Sequence, residues 1–390
     1  MRRISDEERR ARLARRHRLL PERRTDDVAR ITEDLVALHS SDPVTVYLSV
    51  LARMRRPALA AVDRALYDDR AVIRHHAMRR TLWVAGPEVL RLMHAAATRK
   101  LAGAEHRRTA KMLGENGLPD PEAWLTEAKR KVVATLHEHG PMTARALGQR
   151  VPALRHKIVL APGKRYSATV SAHTRVLLGL GFEGALVRTR PTGTWVNGEY
   201  TWAAMDDWVP GGVGDLDERE AACALADRWL RVFGPGTTVD LQWWAGWTAR
   251  LTRQALEGCG AVPVALAAGE GWVAAGDADA EPPAAPWVAL LPSLDPTTMG
   301  WKQRDWYLPA EAADAFDGYG NAGPTIWADG RVVGAWAQRP DGEIRTHFFV
   351  DVGDEQRRAV AVRAAELAGW LGDTRFTVRF PGRIHATLLG

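Results

Sequence analysis

Val28, Ile31, Leu35 and Leu38 recur at helical spacing and predict an amphipathic helix over 26–39. Asp42-Pro43 then reads as an N-cap followed by proline at the first helical position, which opens a second helix, Val44–Met54. Arg56-Pro57 breaks it, and a third helix is expected over 58–67. Ala71–Arg74 and Thr81–Val84 read as short extended pieces around a basic turn, followed by a helix from Pro87 to about Leu101. The polar segment 104–122 carries Gly114, Gly117, Pro119 and Pro121 and reads as a linker.

From Trp124 the pattern changes. A helix over Trp124–Glu138 ends at Gly140-Pro141, and Thr143 caps a short helix, Ala144–Arg150. A basic loop follows (Arg155, His156, Lys157, Lys164, Arg165), then a helix over 168–180 and strands at Ala185–Arg190, Thr194–Asn197 and Tyr200–Ala203. Helix, turn, helix, helix, hairpin is the order of a winged helix. A later section echoes it, with helices Glu218–Phe233, Val239–Trp247 and Thr248–Leu256 and strands over 261–265 and 271–275. The matching entries His139-Gly140-Pro141 and Phe233-Gly234-Pro235 suggest an internal repeat. Residues 276–287 read as a linker or loop tip. The remainder is mostly strands (Val288–Leu291, Thr325–Ala328, Arg331–Trp336, Ile344–Val350, Thr377–Phe380), with one amphipathic helix over 355–371.

At 390 residues the chain has room for two to four domains. Its 46 % hydrophobic and 26 % charged residues exclude a disordered chain, a fibrous repeat and a disulfide scaffold. No stretch approaches the ~20 apolar residues of a membrane-spanning helix. Cys223 and Cys259 are the only cysteines, which fits a reducing cytoplasm, and a nucleoid association is expected with it. Of the net charge of +6, residues 1–30 carry +5, with eleven Arg against six acids. No apolar core follows to make this a signal peptide. Asp6, Glu7 and Glu8 precede the bases, so the segment reads as a helix aligned with its dipole: a solvated surface helix, or an arm along an anionic partner. Arg makes up 46 of the 53 basic residues. Codon drift in a GC-rich genome explains such a bias, and so does phosphate recognition by planar guanidinium groups.

The common enzymatic signatures are missing: no phosphate loop, no Gly-x-Ser-x-Gly elbow, no zinc spacing. His75-His76 are adjacent on an extended piece and point apart, so no metal and no cofactor is expected.

Several separated strings agree with one family. They are Ile31–Met54, which contains Leu38-His39-Ser40-Ser41-Asp42-Pro43; Arg74–Val84; Phe233–Trp247; Leu291–Pro296 with Met299–Arg304; and Asp329–Trp336. Together they resemble the AlkZ/YcaQ-like bacterial DNA glycosylases of the winged-helix DNA-binding superfamily, over about residues 5–385. The resemblance implies an α+β protein of tandem winged helices in a C-shaped arrangement with a β-rich C-terminal part. The regions expected are 1–122 (helical and winged-helix, carrying the catalytic motif), 123–210 and 211–287 (winged helices) and 288–390. It also implies removal of alkylated purines or bulky and crosslinking natural-product adducts. The family positions its hydrolytic water with Gln-Φ-Gln or Gln-Φ-Asp just before an Asp-Pro. This chain departs from that pattern, with His39 and Ser41 at those positions and Ser40 between them. It is therefore a divergent subtype with its own substrate, or a binding protein that has lost catalysis.

The chemistry can be argued from the residues. Alkylation at guanine N7 places a positive charge on the base and makes it a good leaving group, so little acid catalysis is needed. What remains is to favour an oxocarbenium-like sugar and to supply a water on the opposite face. A neutral imidazole at His39 can orient that water near pH 7, and the Ser41 hydroxyl can hold it as donor or acceptor. Asp42 could orient His39 or stabilise positive charge, but Ser41-Asp42 is also an ordinary capping pair. Arg79-Arg80-Thr81 and Lys302-Gln303-Arg304 read as phosphate clamps or as exposed loop charges. Arg53 is a DNA contact or the partner of an acid. Trp301, between Gly300 and Lys302, could stack on DNA or on the lesion, or pack in the core. Trp243, Trp244 and Trp247 read as core.

The reading is a monofunctional, metal-independent DNA glycosylase that excises bulky N7-alkylguanine adducts from double-stranded DNA, in repair or self-resistance to a genotoxic natural product. It would act as a monomer and leave an abasic site. The alternatives are a non-catalytic winged-helix DNA-binding protein or regulator, and a glycosylase for small alkyl lesions or crosslinks.

Overall fold

The computed structural model describes residues 1–161, 163, 165, 167–196 and 199–390. Lys164 of the basic loop and Asn197 of the expected strand Thr194–Asn197 lie outside them.

Three short antiparallel strands organise the N-terminal third. These are β1 (Leu38–His39), β2 (Ile73–His76) and β3 (Leu82–Ala85), in the order β1-β3-β2. The register places Leu38 opposite Val84 and His39 opposite Trp83, with Arg74 and His75 across from the same two residues on the other side. The Ser40 N–H donates to Leu82 O and extends the ladder. The helix expected over 26–39 stops at Glu33, because Val36 takes a left-handed φ of 61° and turns the chain into β1. Leu35 and Leu38 are still buried, but by a turn and a strand rather than by a helix face. Asp42 caps the helix Pro43–Leu51 as the sequence suggests, accepting the Val44 N–H at 3.1 Å.

The expected linker 104–122 is helical up to Glu115. Thr109, Ala110 and Leu113 are buried there, and Glu105 is sunk beneath Arg80, so tertiary packing overrides the breaker signal of Gly114. Next come a helix (Pro121–His139), a strand (Met142–Thr143) and a second helix (Ala144–Arg150). A hairpin (Lys157–Leu160, Ala168–Ser171), a third helix (His173–Phe182) and a second hairpin (Leu186–Pro191, Tyr200–Ala204) complete this section. Strand Met142–Thr143 pairs with 200–204, which makes a three-stranded sheet with the second hairpin. Residues 168–171, expected as helix, are thus the return strand of a hairpin. The later section has the same order: helices Glu218–Phe233, Thr238–Ala245 and Ala249–Gly258, then the hairpin Val262–Leu266 and Gly269–Val273. Gly236 bridges to Trp272 and adds a third extended piece.

The C-terminal part is a four-stranded antiparallel meander (288–291, 325–328, 331–338, 344–348) covered by the helix Gly353–Leu371, which buries Val360, Ala364, Leu367 and Leu371. Thr377–Phe380 does not join this sheet. It is an irregular strap held to strand 331–338 by the Gln338 side chain, whose Nε2 donates to Thr374 O and whose Oε1 accepts the Phe376 N–H.

The N-terminal helix, Asp6–Arg16, is neither solvated nor free. Arg9 and Arg12 are buried, Arg12 and Arg16 pair with Asp277, and Arg15 donates to the carbonyls of Pro282 and Pro283. The loop 276–287 is the cover of this helix, and its Asp277 and Glu281 pair with Arg12, Arg15 and Arg16. The fold as a whole is mixed α/β. A chain of stacked and edge-on rings joins its ends: Trp83–Trp244, Phe233–Trp301, Trp301–Trp306 and Tyr307–Trp327 stand 4.9–6.0 Å apart between centroids. No helix among the described residues is long and apolar enough to cross a membrane.

Candidate functional site

β1 ends at His39; Ser40 extends its ladder by one backbone hydrogen bond, and Ser41 follows in a bend. The His39 ring meets Trp83 edge-on at 5.0 Å, with Phe380 at 6.4 Å. The residue is only 5 % exposed. Its Nδ1 accepts the Ser41 N–H at 3.4 Å, which leaves Nε2 as the protonated nitrogen. Burial pushes its pKa down to about 3, and the Arg79 guanidinium pushes the same way, so the imidazole is neutral at pH 7. Asp42 spends one oxygen on the Val44 N–H and the other on the Arg379 N–H at 3.1 Å. It thereby caps a helix and ties the C-terminal strap to the motif. Burial pushes this carboxyl up, and the two backbone donors act against that.

Arg79 and Arg80 occupy the turn between β2 and β3, both at left-handed φ (53° and 62°). The close approach of Gly246 permits this turn: a Cβ there would stand 3.1 Å from Arg79 Cγ, and its own φ of 68° already favours glycine. The Arg79 guanidinium lies 4.2 Å above the Trp243 ring. Arg304 lies 5.4 Å from the same ring and 4.6 Å from Phe316. Arg79 has no ion-pair partner among the described residues, and its Nε is buried without a hydrogen bond. Two guanidinium groups thus share one indole with no acid between them.

The other expected contacts separate. Arg80 pairs with the buried Glu105. Thr81 is a turn residue: its hydroxyl donates to Met78 O and accepts from Trp83 Nε1. Lys302 has an exposed side chain, and its backbone N–H donates to Asp240 Oδ1. Trp301 is 2 % exposed within the aromatic chain and donates to Phe233 O, so it is core and has no face for a base. Arg53 is also interior. It grips Asp295 at 2.8 and 2.9 Å and spends its remaining donors on His17 O, Ser49 O and Thr297 Oγ1. The reading of Arg53 as the partner of an acid therefore replaces that of a DNA contact. It has no donor left for a phosphate.

Sequence reasoning missed Trp243, Phe380 and Arg379. Trp243 was grouped with the core residues Trp244 and Trp247. Trp243 is partly buried against the same core as Trp244, and its ring also carries the two guanidinium groups. Phe380 and Arg379 sit on a strap with no regular period, and nothing in the sequence marks them. His75 and His94 are hydrogen-bonded to each other at 3.1 Å. Among the described residues no group of three or more His, Cys, Asp or Glu is placed to hold a metal ion.

The family model described as DNA glycosylase AlkZ-like matches residues 32–370. No curated protein matches the chain. Among solved structures, the Streptomyces sahachiroi DNA glycosylase AlkZ shares the fold, with a TM-score of 0.73 at 22 % identity. The match covers 97 % of this chain and 99 % of that one.

Proposed function

Because this chain belongs to the AlkZ-like DNA glycosylase family, we propose that it hydrolyses the N-glycosidic bond of bulky N7-alkylguanine adducts in double-stranded DNA, without metal, as a monomer. The observation that carries this is the neutral imidazole of His39, hydrogen-bonded to the Ser41 N–H and close to the Arg79 guanidinium, which has no ion-pair partner among the described residues. The sections 121–204 and 218–273 are read as winged helices. Their shared order of three helices and a hairpin, with an extended piece completing each sheet, supports that reading. The regions are 1–122, 123–210, 211–287 and 288–390.

In this mechanism the cationic base departs with the electron pair of the C1′–N bond and becomes neutral. Water adds its oxygen to C1′ and sheds one proton to solvent. His39 donates from Nε2 to the water oxygen, and the Ser41 hydroxyl accepts one of its hydrogens, so together they aim a lone pair at C1′. Asp42 acts through position only, fixing Ser41 and the strap. No lysine is hydrogen-bonded to His39 or Ser41 among the described residues. The product is accordingly an abasic site rather than a nicked strand. Repair or self-resistance to a genotoxic natural product would use such an activity.

The second reading is a DNA-binding protein without catalysis. The commitment of both Asp42 oxygens to backbone N–H groups favours it, since no carboxylate is left to help the water. A duplex carrying one N7-alkylguanine, incubated with protein and then treated with alkali, separates the two. Wild type gives strand breaks at the adduct and His39→Ala loses most of them. Binding without breaks on any N7 adduct leaves only the second reading.

A further inference from the structure

Behind the motif, against Ser40, lies a group of cations with no salt-bridged carboxylate among the described residues. Arg74 is wholly buried on β2. Its Nε donates to Ser40 Oγ at 2.7 Å and its Nη1 to the Tyr67 hydroxyl at 3.0 Å, while Nη2 has no partner. The Arg74 guanidinium stands 4.5 Å from the Tyr200 ring. Arg188, on strand 186–191, is 5.7 Å from that ring and 4.8 Å from Trp202, and its Nε is also buried and unpartnered. The Tyr200 hydroxyl is a third orphan. Arg379 closes the group from the strap, donating to Ser41 O at 3.3 Å.

Local acids do not neutralise Arg74 and Arg188. Asp63 and Asp68 are taken by Tyr47 and Arg190, and Asp42, whose carboxylate feels the Arg379 charge, spends its oxygens on two backbone N–H groups. Nor is Tyr200 the counter-ion, because burial pushes its phenol up. Buried guanidinium groups with unmade hydrogen bonds are costly unless something supplies the charge and the acceptors. Arg74 and Arg188 meet this description, and the exposed Arg379 joins them from a third segment, which suits a tetrahedral oxyanion that takes forked N–H donors.

We infer that Arg74, Arg188, Arg379 and the Tyr200 hydroxyl form a pocket for one DNA backbone phosphate. That phosphate flanks the nucleotide whose base is released. The assignment rests on the reading of His39 and Ser41 as the place of base release, because Ser40 and Ser41 join the two sites. Holding this phosphate fixes the deoxyribose relative to the water site, so all four are positioning residues.

The test is binding, independent of excision. Duplexes carry one tetrahydrofuran abasic-site analogue and a single neutral methylphosphonate, moved linkage by linkage along both strands. Wild type is expected to lose about tenfold in affinity at one linkage next to the analogue, as for loss of a charged hydrogen bond. Arg188→Gln removes the sensitivity at that linkage alone and lowers the slope of log K against log salt by about 0.9. Tyr200→Phe keeps the ring packing and should reduce the same sensitivity in part. Melting temperatures confirm that both variants fold. Sensitivity unchanged in both variants, or no sensitive linkage beside the analogue in wild type, overturns the pocket and leaves the glycosylase reading standing. Failure to excise any N7 adduct, with the linkage pattern as expected, overturns the catalytic reading and leaves the pocket. No binding to the duplex overturns both.

Discussion

The His39 Nδ1 accepts the backbone N–H of Ser41, two residues on, across 3.4 Å. This contact points Nε2–H away from the strand and, with burial against Trp83, keeps the ring uncharged. If His39 aims a water by donating, an amide that donates from the same place should serve and a methyl group should not. We expect His39→Ala to lower single-turnover excision about 10²–10⁴-fold and His39→Gln to recover a substantial part. Since the imidazole titrates only near pH 3, the wild-type rate should be flat from pH 5.5 to 8. A loss of rate with an apparent pKa near 6.5 would falsify the neutral-donor assignment.

Five histidines are buried as neutral rings. His17, His39 and His76 are held to about 3, His94 to about 4, and His75 well below its ordinary value, with burial the first cause in each. The unfolded chain protonates them near 6.5 and the folded chain does not. Below that pH the unfolded state therefore binds more protons, and stability falls as pH falls. Each histidine contributes at most about 1.4 kcal/mol per pH unit in this window. Melting temperature should decline from about pH 6.5 toward 4, above the range where the carboxylates lose their own contribution. A flat melting temperature between pH 6.5 and 4.5, followed by circular dichroism, would contradict it.

Arg53 and Asp295 form a fully buried, two-point ion pair that ties the helix Pro43–Leu51 to the turn before the helix Pro296–Met299. Burial alone would push the Asp295 carboxyl up, yet Arg53 and Ser49 hold it below its usual value. Removing one partner leaves the other charge buried and unpaired. Asp295→Asn should cost about 3–5 kcal/mol in urea denaturation. At temperatures where the variant is folded, the salt dependence of DNA binding should be unchanged. The slope should also be unchanged in a folded Arg53→Gln variant, and a shallower slope there would restore Arg53 as a phosphate contact.

What the sequence made legible, and what it did not, follows from the range of the signals. Asp42-Pro43 names a cap and a helix start within two residues, and both are there. The helix Glu218–Phe233 has a clean apolar period, and its ends match the expectation. The span 26–39 misled because Leu35 and Leu38 keep helical spacing while Val36 reverses the backbone, which no period reveals. At the site, His39 and Ser41 came from the family motif. Their contact, Ser41 N–H to His39 Nδ1, is made in the bend after the two-residue strand β1, and no periodic pattern shows it. Trp301 lies wholly in the core, whereas Trp243 packs partly against it and carries two arginines; both have basic or aromatic neighbours in sequence, and only long-range packing separates them. Arg379 reaches the motif from 338 residues away.

Arg79 and Arg304 share the Trp243 ring with no acid between them, and burial pushes the Arg79 guanidinium down to about 10 with Arg304 acting in the same direction. An anion arriving there would relieve this repulsion, so each guanidinium should bind a phosphate better for the presence of the other. Arg79→Gln and Arg304→Gln should each weaken duplex binding several-fold and reduce the salt slope by about 0.9. The double variant should lose less than the product of the two single losses, because either change alone removes the repulsion as well as the contact. Trp243→Leu should weaken binding with the salt slope kept, since it removes the platform and leaves the charges. These constants can be read from fluorescence anisotropy of labelled duplex at several salt concentrations. Unchanged affinity and slope in both arginine variants would mean that the DNA passes elsewhere.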